Sequence, residues 1–139
     1  MSSLALCVTV AGALVARLDA PTFTLSWIHS VEKTAWEEDY RLRPGGLELV
    51  EARIRGTGAG MEPPEGAVLR GGVYHYRPTL PVLPELVLAD AGVVPDRVLC
   101  VEGRCRPLHA WLPPVPPGEP VTLSVCSAGP GRPALPERR

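Results

Sequence analysis

The placement of proline and glycine constrains this chain more than any other feature. The 139 residues include 17 prolines and 14 glycines, and the longest run free of both is residues 22–43. Proline breaks a helix interior and glycine weakens one by about 1 kcal/mol, so the elements between them must be short and joined by tight turns. Half of that one long run alternates like a strand. Phe23, Leu25, Trp27, His29 and Val31 fall on one side, and Thr22, Thr24, Ser26 and Ser30 mostly on the other. The pattern predicts an all-β fold, a compact antiparallel β-sandwich or β-barrel-like domain of eight or nine short strands. Residues 1–126 are expected to form this single domain, and residues 127–139, which lack an apolar pattern, a flexible tail.

The apolar start reads as a hairpin, with Leu4, Leu6, Val8 and Val10 facing one way, Gly12-Ala13 turning, and Leu14, Ala16 and Leu18 returning. Further strands are expected over residues 22–31, 35–42, 47–55, 72–77, 86–89, 97–101, 106–111 and 121–126. Pro44-Gly45-Gly46, Gly71-Gly72 and Glu102-Gly103 supply hairpin turns. Thr34-Ala35-Trp36-Glu37 fits a capping box for a short helix. The alternation of Trp36, Glu38, Tyr40 and Leu42 before the Pro-Gly-Gly turn favours a strand instead. Pro78, Pro81 and Pro84 mark an edge or an extended crossing, and Pro113-Pro114-Val115-Pro116-Pro117 a stiff extended linker.

Charge excludes some partners. Fourteen Lys plus Arg against fifteen Asp plus Glu leave a net charge of −1. No field of one sign steers the chain to nucleic acid, and the basic residues are scattered rather than striped. The apolar start is too short to span a bilayer, so no transmembrane segment is expected. It also lacks the charged beginning and small-residue cleavage site of a secretory signal, which points to the cytoplasm, with the periplasm as the alternative.

Cys100 and Cys105 sit symmetrically about Glu102-Gly103. With Val101 and Arg104 closing a two-residue hairpin, the two cysteines face each other in a non-hydrogen-bonded pair, about 4.5 Å apart at Cα. They are candidates for a disulfide or a reduced pair. A zinc site needs further ligands at matching spacing, and none is present, so no metal or other cofactor is expected. Cys7 and Cys126 meet if the first and last strands pair. The three histidines, His29, His75 and His109, share no metal-ligand spacing. His29-Ser30 suggests a base and a nucleophile, but neighbours on a strand point to opposite faces. A small hydrolase would need Ser30 or His29 to act with a distant partner such as His75. Gly56-Thr57-Gly58-Ala59-Gly60-Met61 is followed by Glu62-Pro63-Pro64, which forbids the helix of a dinucleotide site and leaves a conformationally special loop.

The blocks "FTLSWIHSVEKTAWEEDYRL" and "LELVEARIRGTGAGMEPPEGA" resemble the bacterial family called domain of unknown function 1850. The matching positions are His29, Ser30, Glu32, Lys33, Thr34, Trp36, Glu37, Gly58, Gly60 and Met61. Genes of that family often neighbour those of tripartite TRAP transporters of the TAXI type, so the resemblance implies an accessory role in solute uptake and transfers no catalytic residue. The expectation is therefore a non-enzymatic binding or accessory module whose partner is a transporter subunit or a small-molecule solute. Its site is expected where residues 29–38 meet the 56–61 loop. Glu32, Glu37 and Glu38 would take a cation, Lys33 an anion, and Trp36 would form an apolar wall beside His29, Gly58, Gly60 and Met61. The rival readings are the hydrolase and a structural or oligomerising domain with exposed edges near residues 78–84.

Overall fold

Two-residue turns and sharp alternation produce eleven strands among the described residues of the computed structural model, which are 4–28, 35–55, 66–89 and 96–127. In order these are β1 (Leu4–Val10), β2 (Ala13–Leu18), β3 (Thr22–Ile28), β4 (Ala35–Arg43), β5 (Gly46–Arg55), β6 (Val68–Arg70), β7 (Val73–Tyr76), β8 (Glu85–Leu88), β9 (Val98–Val101), β10 (Arg104–Pro107) and β11 (Val121–Ser127). They form two antiparallel sheets, ordered β2-β1-β11-β8 and β10-β9-β3-β4-β5-β7-β6. Each sheet keeps two edge strands, so the fold is an open two-sheet arrangement and not a closed barrel.

The core lies where the smaller sheet covers part of the larger. Leu6, Val8, Val10, Val121 and Leu123 meet Phe23, Leu25, Tyr40, Leu42, Leu47 and Leu49, and the Phe23 and Tyr40 rings stack 5.0 Å apart. Fully burying each such aliphatic side chain contributes about 1.5–3 kcal/mol. Trp27 is only half-buried at the margin of this cluster, and the larger sheet extends beyond it.

Between the sheets the chain runs beside the start of β5. Leu47 and Leu83 exchange backbone hydrogen bonds of 2.7 and 2.8 Å there, in the slot that β7 does not reach. The close approach requires glycine next door. A Cβ on Gly46 would strike the Leu83 carbonyl oxygen and lie 2.6 Å from Val82 Cγ1. Gly46→Ala is expected to cost about 2 kcal/mol through this overlap, a fall of roughly 7 °C in a thermal melt. An unchanged melting temperature would show that the strap at residues 82–83 gives way freely.

Local departures from simple alternation matter. The first hairpin turns on Ala11-Gly12 (φ 54° and 80°) rather than Gly12-Ala13, and Val10 pairs with Ala13. Val8 pairs with Ala16 and Thr9 with Leu14, so Val15 is bulged. The bulge sends Leu14 away from the face shared by Ala16 and Leu18, leaving it 41% exposed. A second bulge, at Val50, separates the pairs Tyr40–Leu49 and Asp39–Glu51. Residues 106–111 are not one strand. Pro107 ends β10 opposite Val98, and Leu108–Trp111 form a 3-10 helix that docks through Leu108 N–H to the Arg97 carbonyl and Trp111 Nε1–H to the Leu99 carbonyl. Strand β6 was absent from the sequence expectation.

Both cysteine pairs are joined. Cys100 and Cys105 face each other across the β9–β10 hairpin with Cα atoms 4.0 Å apart. Cys7 and Cys126 bond across the β1–β11 pair, tying the first strand to the last over a sequence separation of 119.

Candidate functional site

The larger sheet places Trp36, Glu37 and Glu38 on β4, but not together. On β4 the side chains of Tyr40 and Leu42 enter the core, so alternation puts Trp36 and Glu38 on that inner face and Glu37 on the outer one. Adjacent glutamates therefore serve two surfaces. His29, Ser30, Glu32, Lys33 and Thr34, and the loop residues Gly58, Gly60 and Met61, lie outside the described residues. The strand ends that bracket them are neighbours: Ile28 pairs with Ala35, and Ala35 with Arg55. Ile28, Ala35 and Arg55 thus stand together at one end of the sheet, next to Trp36.

On the inner face, the apolar core gives way to aromatic rings around one carboxylate. Trp36 stacks on Trp27, with centroids 6.2 Å apart and planes 12° from parallel. Glu38 lies between Leu25 and Ala52 in the ladder, and Ala52 in turn pairs with Tyr76. The small Ala52 side chain leaves room above it for the longer neighbours. The Tyr40 hydroxyl donates to Glu38 Oε1 at 2.7 Å. Burial first, and then the Glu38 carboxylate, raise the Tyr40 phenol well above its ordinary pKa, and the same two causes raise Tyr76. Both phenols therefore remain donors. Trp36 Nε1 is buried and has no acceptor among the described residues.

The outer face carries a different constellation, centred on Arg53. Its Nε donates to Glu37 at 2.9 Å, and Nη1 and Nη2 form a fork with the two Asp39 oxygens at 2.7 Å each. Nη1 also reaches Glu51 at 2.9 Å. Thr24 donates its hydroxyl to Asp39 at 2.8 Å. The hydrogen bond from Arg53 holds the Asp39 carboxyl below its usual range, outweighing burial, with Thr24 assisting. Asp39 first, and then Glu37, hold the guanidinium firmly charged against the opposing effect of burial. With four of its five N–H donors engaged, this fork is a structural clamp.

His75 is part of this network, with Nδ1 3.4 Å from Glu51 Oε2. The contact is long, and the geometry is too poor for a hydrogen bond, so Nδ1 is shielded without a good partner. His109 sits far along the chain against Asp96, whose Oδ2 accepts from its backbone N–H at 2.8 Å. The two histidines distant from Ser30 in sequence thus both face carboxylates. All four cysteines are in disulfides, which leaves no thiol nucleophile. Among the described residues no His, Cys, Asp and Glu side chains are grouped to hold a metal ion, and no helix is long and apolar enough to cross a membrane.

A family model for Domain of unknown function (DUF1850) matches residues 23–108. The chain belongs to this family. No match is found among curated proteins or solved structures. The match begins at the second residue of β3 and ends at the first of the 3-10 helix, so it spans most of the larger sheet of this DUF1850 protein. It leaves out β1, β2 and β11, most of the smaller sheet.

Arg53, Asp39 and Glu51 were missed in the sequence because counting outward from the Pro44-Gly45 turn pairs Arg53 with Trp36. The Val50 bulge advances the register by one and sets Arg53 opposite Glu37. Tyr76 carries no local signal of a site, and only its place beside Ala52 brings it into the Glu38 environment.

Proposed function

We propose that this DUF1850 protein is a non-enzymatic binding module that takes a cationic solute on the inner face of its larger sheet. The observation that carries the reading is Glu38, fixed by the Tyr40 hydroxyl at the point where the core gives way to Trp27, Trp36 and Tyr76. A carboxylate on the same sheet face as two indoles and two phenols can attract an ammonium or guanidinium group by charge, with the ring quadrupoles adding to it. The family's gene neighbourhood supports an accessory role beside a tripartite solute-uptake transporter. Two disulfides support residence in an oxidising compartment such as the periplasm, where such an accessory would work.

Titration calorimetry with tetramethylammonium, arginine and putrescine tests the site. At least one of these is expected to bind, and Glu38→Gln to weaken it about tenfold or more. Glu37→Gln, on the opposite face, should leave affinity unchanged. Equal loss in both variants, or no loss in Glu38→Gln, overturns the assignment. Co-purification from the native host, with a transporter subunit recovered, tests the accessory role separately.

A further inference from the structure

A concavity lies at the β6–β7 edge of the larger sheet. It is an open cleft of about 400 Å³ lined by Glu51, Gly66, Val68, Arg70, His75, Tyr76 and Arg77. Strand pairing explains the convergence. Val68 is opposite His75 and Arg70 opposite Val73, so the outward side chains of β6 and β7 form one strip. Arg70 stands at one end of it, and Arg77 continues beyond His75 at the other.

The two arginines here differ from Arg41, Arg43 and Arg53 on the same face. Arg53 is consumed by three carboxylates, and Arg41 and Arg43 share Glu48. Arg70 and Arg77 border one volume with no carboxylate partner among the described residues. Glu51 also lines the cleft, with its oxygens turned to Arg53 and His75, so an anion is accommodated on the Arg70 and Arg77 side. Two guanidinium groups on one cleft repel each other, and a bound anion converts that repulsion into two charge-assisted contacts. His75 adds a ring that can donate, and Val68, 55% exposed, adds an apolar surface.

We propose that this cleft binds a small oxyanion, a carboxylate or phosphate group held between Arg70 and Arg77 beside His75. The site selects the opposite charge from the cationic site, and Tyr76 stands between the two, bordering both.

The test uses the full chain titrated with inorganic phosphate and with succinate, read by calorimetry and by the His75 ring signals in NMR. Binding of either probe, with His75 shifted and His109 unmoved, is the expected result, and the preferred probe identifies which oxyanion the cleft suits. Arg70→Gln and Arg77→Gln should each weaken binding about tenfold. Arg43→Gln, which removes the same charge from a paired position on this face, should not. All three side chains are exposed, so an unchanged melting temperature establishes that the variants remain folded. Absence of binding by both probes, or equal weakening by Arg43→Gln, overturns the proposal.

Discussion

A double variant, Cys7→Ser with Cys126→Ser, is expected to melt on the order of 10–15 °C below the parent under non-oxidising conditions that leave the parent disulfides intact. The reason lies in the unfolded chain. This bond closes a loop with a sequence separation of 119, nearly the whole protein. In the chain-entropy treatment, releasing such a loop costs roughly 4–5 kcal/mol of stability. The smaller sheet magnifies the effect, because β1 and β11 are its two central strands and their pairing joins the ends of the sequence. The corresponding Cys100→Ser, Cys105→Ser variant should lose only about 2 kcal/mol, since those residues are five apart across a tight hairpin. Calorimetric melts of the two variants decide this. Equal shifts would mean that the chain ends stay associated in the unfolded ensemble, so that the long loop is closed without its covalent link.

The same pair shows what could be read in advance. Alternation and turn residues located most strands, and the choice of strand over helix for β4 followed from Trp36, Glu38, Tyr40 and Leu42 before a Pro-Gly turn. Which strands become neighbours was not legible, because β1 and β11 have no local signal that they pair. Bulges were equally silent. Val15 and Val50 are ordinary β-branched residues, and each occupies a bulge for reasons of register that only the partner strand imposes. The site suffered most from this. Trp36, Glu37 and Glu38 are consecutive and read as one charged cluster, whereas the pleat deals them to opposite faces. Arg53 read as one of several scattered basic residues until a one-residue shift set it among Glu37, Asp39 and Glu51.

Arg53→Met is expected to lower stability by about 3 kcal/mol at neutral pH, because it strands three partly buried carboxylates that now repel one another. The acid side gives this prediction its direction. In the parent, Asp39 is held below its unfolded value by Arg53, so its contribution is present above about pH 4 and is lost as pH falls through the lower folded value. In the variant the clustered carboxylates are raised instead, and protonating them relieves the repulsion. The stability gap should therefore be widest near pH 7 and narrow towards pH 3, as urea unfolding at both values can measure. Arg41→Met is the comparison: its side chain is 49% exposed against Glu48, and such a pair contributes no more than about 1 kcal/mol. A gap of the same size at both pH values would mean that Arg53 acts through packing of its aliphatic stem. A narrowing gap assigns Glu37 to the clamp, and leaves Glu38, with its face turned to Trp36 and Tyr40, as the glutamate of this pair that remains available to a ligand.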